Sequence, residues 1–378
     1  MLKRYTTDTS GKKHLLAKIY NKDEHSIDLE AIDPLAVRIC RRLKREGYEA
    51  FIVGGAVRDL LQKKTPKDFD IATNAFPKKI RKFFWNSRII GKRFKLVHIH
   101  FKDQIFEVST FRSNEDEDSQ NVFGSIEQDV KRRDFSVNAL FYCPSTQQIL
   151  DFVDGMKDIK EKRIRSLIPL DKTFTEDPVR IIRGIKYSCT TNFKIERKLK
   201  KAMQRYADLL KTTPSSRLTE ELFKILESKY SYSIMTGLQK IKAFGCILPN
   251  IEAITAKDTS LKKEFFSSLK RLDEKLRSGE LLDRGIILSF LLKPFLRPNN
   301  DPDVDLLFLD IFTNAKKILS PLTPPNVEIE NAVKRIMSDM GINVPQNKRL
   351  SYQKSKRKAL QKTAGPAPRK YRKPRHRK

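Results

Sequence analysis

An α+β chain, with a mixed α/β head, an all-helical body and a disordered basic tail, is predicted by three features of the sequence. Apolar runs of strand length recur up to about residue 154. Beyond that point the apolar spacing turns to i, i+3, i+4, as in "RLTEELFKILES" and "VEIENAVKRIM". From Lys348 to Lys378 there are 14 Lys and Arg, no acidic residue and too few large apolar side chains to bury a core. With 378 residues, 39% of them apolar, the chain is large enough for two or three packed units.

Residues 1–32 are polar and weakly patterned and read as an extended arm. The head, 33–154, opens on "DPLAVRICRRLKREG", where Leu35, Ile39 and Leu43 recur at i, i+4, i+8. Asp33-Pro34 starts that helix and Gly47 stops it. "EAFIV" (49–53) is a strand, "GG" a tight turn, and "AVRDLL" the opening of a helix. "DFDIAT" is a strand and "PKKIRKFFW" a helix, followed by the strands "FKLVHIHF" (94–101) and "QIFEVSTF" (104–111) about a short "KD" turn. The acidic stretch 113–129 reads as a mobile loop, "VKRRDFSVNALFY" as helical and "QILDFVDG" as the closing strand. Helical segments fill 155–245 and 246–346, and the tail occupies 347–378.

Charge narrows the function classes. There are 77 basic and 46 acidic residues, net +31, and 17 of those net charges lie outside the tail. An imbalance of this size calls for a polyanionic partner, nucleic acid first. The tail suits sequence-blind attachment to phosphate backbones; a solubility or localisation role is the alternative reading. Cys40, Cys143, Cys189 and Cys246 form no C-x-x-C pair, which suits reduced thiols rather than zinc or a disulfide framework. No apolar run reaches 18 residues and the N-terminus lacks a signal core, so a soluble, cytoplasmic protein without membrane contact is expected.

The chemistry concentrates in a few short motifs. "VGGAVRD" joins a strand to a helix N-terminus through Gly54 and Gly55, which let a phosphate approach the backbone, with Arg58 as a charged donor. Taken alone such a pair is more often only a turn, and it is no Walker A loop. In "KDFDIAT", alternation turns Asp68 and Asp70 to one face and Phe69 to the other. Two like charges so placed repel unless a cation lies between them, and Mg²⁺ takes such oxygen ligands together with phosphate oxygens. A solvated strand edge is the plainer reading. Glu107 in "QIFEVST" offers a third carboxylate, while His98 and His100 share a strand face and read as structural. "RRD" (132–134) is, by itself, a capped helix with a basic face. In "EDPVRIIRGIK", Asp177-Pro178 reads as an N-cap with Pro at N1, and Arg180 and Arg183 are i, i+3 neighbours.

The ordered set "GGAVRD…KDFDIAT…EVSTFR…RRDFSVNAL…EDPVRIIRGIK" resembles the class II nucleotidyltransferases of the polymerase β superfamily, the family of bacterial poly(A) polymerases and tRNA CCA-adding enzymes. The resemblance spans residues 48–245. It implies a nucleotidyltransferase head at 33–154, a nucleotide-recognition neck at 155–245 and an RNA-binding body at 246–346. It also implies two-metal Mg²⁺ chemistry that moves a nucleotidyl group from an NTP to an RNA 3′-hydroxyl with release of pyrophosphate. Asp68 and Asp70 are then the metal ligands and Glu107 the third carboxylate. Arg132, Arg133 and Asp134 recognise the ribonucleotide, Asp134 as the ribose-hydroxyl acceptor or a further catalytic acid. Asp177 and Arg180, with Arg183, present hydrogen bonds to the base edge, and Lys186 stands where CCA-adding relatives often carry Arg.

Phe94, Lys92, Arg93 and Lys95 in "RIIGKRFKLVHIHF" look like the poly(A) polymerase form of that segment, and the basic tail points the same way. The expected activity is template-independent addition of AMP from ATP to single-stranded 3′ ends of mRNA or small RNA. CCA addition to tRNA is the alternative, and a non-enzymatic basic RNA-binding protein the third reading.

Overall fold

The computed structural model describes residues 1–7, 11–91, 95–113, 123–297 and 303–342. The expected tail, and Lys92, Arg93 and Phe94, lie outside the described residues. The chain divides into two compact units: Met1–Arg180 with Thr191–Met203, and Ile181–Thr190 with the chain from Gln204 onward.

The first unit is built on a nine-stranded mixed sheet. Its strands are β1 Leu2–Thr7, β2 Lys13–Tyr20, β3 Ala50–Val53, β4 Asp70–Thr73, β5 Ser87–Ile90, β6 Leu96–Phe101, β7 Gln104–Thr110, β8 Leu140–Cys143 and β9 Gln148–Asp151. They lie in the order β1-β2-β9-β8-β3-β4-β7-β6-β5. All neighbours are antiparallel except β4 and β7, which run parallel with Ile71 opposite Val108. Helices α1 (Pro34–Arg45), α2 (Gly55–Leu61) and α3 (Pro77–Phe83) cover one face. There Ile39, Leu43, Val57 and Ile80 pack on Ile52, Ile71, Val97 and Val108. On the other face Ile126 and Val130 of α4 (Ile126–Arg132) meet Phe51, Val53, Ala72 and Phe141. Every β3–β4 residue after Asp70 is therefore walled in, and the polar end of the strand pair is where chemistry can reach solvent.

The start of α1 follows the sequence rule: the Asp33 carboxylate accepts from the Leu35 amide at 2.7 Å, with Pro34 in the first turn. Three expectations are corrected. Residues 1–32 are not a free arm, because β2 pairs with β9 (Ile19 opposite Leu150) and β1 pairs with β2. "VKRRDFSVNALFY" is not one helix; α4 ends at Arg132, a single turn spans Ser136–Asn138, and "LFYC" is the interior strand β8. Its apolar run is continuous because the strand is buried on both faces, and periodicity alone cannot tell such a run from a buried helix. Ser87–Ile90 forms the edge strand β5, where no strand was expected.

Downstream come α5 (Gly155–Lys160), α6 (Leu170–Glu176), α7 (Val179–Thr191) and α8 (Arg197–Arg205), with a two-residue parallel pair, β10 Arg163–Ile164 and β11 Lys194–Ile195. The second unit is all-helical, as the spacing predicts. It contains α9 (Ser215–Leu226), α10 (Ser231–Lys240), α11 (Phe244–Ile247), α12 (Pro249–Lys257), α13 (Thr259–Arg277), α14 (Arg284–Leu292), α15 (Val304–Leu319) and α16 (Asn326–Asp339). Phe223, Phe244, Phe265, Phe308 and Phe312 are fully buried in it. Buried Asp273 of α13 caps α10, accepting from the Ser231 and Tyr232 amides at 2.8 and 3.0 Å. No described helix is long and apolar enough to cross a membrane.

Candidate active site

The Gly-Gly turn, the first residue of β4 and the segment after α4 converge. Gly54 sits at φ +72°, ψ −136°, a conformation that side chains resist, and it opens α2. A Cβ at Gly54 would lie 3.7 Å from Asp70 Oδ2 and 3.8 Å from Arg133 Nη1. Val53 pairs with Asp70 across β3 and β4, which holds the carboxylate beside the turn. Asp70 and Asp68 are both exposed. Asp68 lies just ahead of β4 rather than within it, and half-buried Phe69 between them packs on the α1–α3 side of the sheet.

Glu107 is held differently. Ile71 opposes Val108, so Glu107 occupies the register step beside Asp70. Its carboxylate pairs with His98 Nε2 at 3.4 Å on the neighbouring strand. Among the described residues no group of three or more His, Cys, Asp or Glu is placed to hold a metal ion. Asp68 and Asp70 are two exposed carboxylates two residues apart, and Asp70 lies beside the glycine turn. That set fits Mg²⁺, which takes one or two protein carboxylates and completes its shell with water and phosphate oxygens.

Arg133 is fixed by Asp129, which accepts from Nη2 at 2.9 Å, and its guanidinium stacks 4.7 Å from the centre of the Phe141 ring. Arg58 is buried, not solvent-facing: Nη1 donates to Asn138 Oδ1 at 2.7 Å and Nε to Asp59 at 2.9 Å. Asn138 in turn donates from Nδ2 to Asp134 Oδ1 at 3.1 Å, and the same oxygen accepts from the Phe135 amide at 2.8 Å. The two charged groups read separately in the sequence are thus tied together through one amide.

Arg180, 8% exposed, donates from Nη1 to the Thr173 carbonyl at 3.2 Å and from Nη2 to the Arg132 carbonyl at 3.1 Å. Asp177 accepts from the Val179 amide at 3.2 Å and caps α7 as expected. Burial, reinforced by the neighbouring charges of Arg112 and Arg180, holds Arg132 below its ordinary value despite Asp129. Burial likewise lowers Arg112, with Asp129 opposing and Arg133 adding to the effect. One buried carboxylate therefore faces several guanidiniums, a local field that favours a polyanion. Arg183 belongs to the second unit, where Nη2 lies 3.1 Å from the Tyr187 hydroxyl. Lys186 in that unit pairs with Glu221 at 3.1 Å.

Asn138, Asp129 and Arg112 were missed in the sequence. Asn138 and Arg112 stand in the quoted motifs "RRDFSVNAL" and "EVSTFR", but their spacing carries no signal until β8 is recognised as a strand.

A family model described as "Poly A polymerase head domain" matches residues 50–165, and one described as "Probable RNA and SrmB- binding site of polymerase A" matches residues 192–255. Poly(A) polymerase I of Salmonella typhi is 36% identical over 278 residues, 69% of this chain. Over these matched residues the chain is similar to the polymerase β-type nucleotidyltransferases. It spans 60% of the length of that Salmonella relative. The nucleotidyltransferase likeness extends to the CCA-adding enzyme of Enterococcus faecalis, 36% identical over 197 residues, 50% of this chain and 48% of the relative. Among solved structures, the Bacillus stearothermophilus CCA-adding enzyme in complex with CTP matches 89% of this chain and 90% of its own at a TM-score of 0.56 and 23% identity. A tRNA nucleotidyltransferase complexed with a primer tRNA and an incoming ATP analog gives a TM-score of 0.59 at 22% identity, over 86% of this chain and 91% of its own. At these identities the nucleotidyltransferase fold is what is shared.

Proposed function

We propose that the chain transfers nucleotidyl groups from NTPs to RNA 3′ ends, and that the reaction is template-independent addition of AMP from ATP. The observation that carries this reading is the Asp70 carboxylate beside the positive-φ Gly54 turn and the Arg133 guanidinium. Asp68 and Asp70 would hold Mg²⁺, which on binding supplies charge neutralisation at the reacting phosphate and a lowered pKa for the attacking hydroxyl. Gly54, without a Cβ, lets the triphosphate come against the backbone. Arg133, pinned by Asp129 and Phe141, offers a pre-oriented cation to it, which costs little reorganisation as charge moves onto pyrophosphate. Asp134, oriented by Asn138, takes the ribose hydroxyl. Asp177 and Arg180 present the base edge its partners, with the Thr173 and Arg132 carbonyls fixing the Arg180 plane.

Adenylation is favoured over CCA addition by two facts. The match to the Salmonella poly(A) polymerase runs over 278 residues at 36% identity, against 197 residues for the Enterococcus CCA-adding enzyme and 239, at 33% identity, for that of Streptococcus agalactiae. The chain also carries a net +31 with a basic tail, suited to gripping any RNA rather than one folded shape. The substrates are single-stranded 3′ ends of mRNA or small RNA, in the cytoplasm. The test offers the purified chain each NTP separately, with a generic RNA and with a tRNA lacking its 3′ end. Long A-only products on both support the proposal. Stopping after C, C and A on the tRNA alone would establish the alternative, and no NTP-dependent lengthening would leave only RNA binding.

A further inference from the structure

The sequence has one tryptophan, Trp85, and it is 94% exposed. It stands between α3 and the edge strand β5, in a stretch, 74–102, that holds nine Lys and Arg and no Asp or Glu. Lys78, Lys79, Arg81, Lys82 and Arg88 are all exposed. None of those five is in an ion pair among the described residues. The Arg42 guanidinium of α1 lies 5.9 Å from the centre of the Phe84 ring, next in sequence to Trp85. An apolar ring of that size left in water amid uncompensated cations is the composition of a single-strand nucleic-acid contact: a face for a base, charges for the backbone.

Register relates this surface to the two aspartates. Ile71 of β4 opposes Val108 of β7, Val108 opposes Val97 of β6, and Val97 opposes Ile89 of β5. One row further back, Glu107, His98 and Arg88 continue the line from Asp70. Trp85 and Asp68 therefore precede their strands at the same end of the sheet. The strands they precede lie three inter-strand spacings apart, about 14 Å. That offset is a few nucleotides of an extended chain, not the nucleotide site itself.

We propose that Trp85, with Lys79, Arg81, Lys82 and Arg88 of the same stretch and Arg42 beside Phe84, stacks a base of the single-stranded RNA a few nucleotides upstream of the reacting end. The inference rests on the RNA reading above but concerns a separate surface. Because Trp85 is the only tryptophan in the sequence, its emission reports the contact without labelling. The titration is done with short oligoadenylate in EDTA and without NTP, so that binding is read apart from transfer. Saturating oligoadenylate is expected to quench and shift the emission, and a duplex RNA of equal length to do so much less. Trp85→Ala is expected to weaken oligoadenylate binding roughly 5- to 150-fold, the range for losing one stacked base. The salt slope of binding stays the same, since the cations that meet the phosphates are all retained, and Trp85→Phe recovers most of the affinity.

Emission unchanged at saturating oligoadenylate, or an Ala variant that binds as tightly as the unmodified chain, overturns the proposal. So does a shift seen with anionic lipid vesicles and not with RNA. A chain that fails to lengthen RNA in the NTP panel sinks the catalytic reading while leaving the Trp85 result standing.

Discussion

Replacing Asn138 with Ala cuts the bridge between the two buried charges of the head. In the intact protein Asn138 accepts from Arg58 at 2.7 Å and donates to Asp134 at 3.1 Å, and Asn138, Arg58 and Asp134 are each at most 7% exposed. A hydrogen bond to a charged group contributes about 1.5–3 kcal/mol, so two such bonds represent about 3–6 kcal/mol. Arg58 keeps Asp59, and Asp134 keeps the Phe135 amide, so the lower end applies, about 3 kcal/mol. The first unit has roughly 190 residues. For a unit of that size each kcal/mol moves the midpoint by about 2–4 °C, which gives a drop of about 6–12 °C. Calorimetry that resolves the transitions of the two units is the assay, since a single two-state fit does not describe such a chain. Nucleotide transfer measured well below the transition should fall as well, because Asp134 loses the group that orients it. A midpoint lowered by less than about 2 °C would refute the bridging account.

Other substitutions probe separate links. Gly54→Ala meets only ordinary contacts at 3.7 and 3.8 Å, so its cost is the backbone at φ +72°, about 1–3 kcal/mol, with a larger loss of ATP-dependent transfer than of stability. In the second unit burial alone would raise the Glu221 carboxyl, yet the charges of Lys186, Lys224 and Arg183 outweigh it and hold it below its ordinary value. Its contribution is therefore present above about pH 4.3 and lost as pH falls through the lower folded value, which acid titration of that unit's unfolding would detect. Glu221→Gln should remove that pH dependence and destabilise the unit by about 3 kcal/mol at neutral pH, because Lys186 is left half-buried without its charge partner. Removing residues 348–378 should lower the log–log salt slope of RNA binding by about 0.7 for every phosphate the tail had neutralised, while transfer to a saturating short primer persists.

Local chemistry was legible in the sequence wherever one segment sufficed. The Asp33 cap, the Gly54 turn and the helical body each follow from residue type and spacing within a dozen positions. What the sequence hid depends on partners far apart. Lys18 to Tyr20 looked unpatterned because their strand partner is β9, more than a hundred residues on. "LFYC" looked helical because β8 is covered on both faces, which erases the period of two. Arg58 read as a phosphate donor because nothing local announces that Asn138 will meet it 80 positions later. Glu107 read as a third ligand from its face alone, and the cross-strand neighbour His98 set its actual pairing. Trp85 drew no notice because exposure cannot be read from an aromatic-rich run.

The central claim is that Asp68 and Asp70 carry nucleotide transfer and do not carry RNA binding. Extension of a short RNA primer with ATP and Mg²⁺ by the unmodified chain and by Asp70→Asn, each with its RNA dissociation constant measured alongside, tests it most directly. The account predicts that the variant binds RNA as tightly as before and that its rate falls by at least about a hundredfold, on the scale of removing one charged group acting only in the transition state. Extension by the variant at the unmodified rate, with RNA affinity intact, would contradict it.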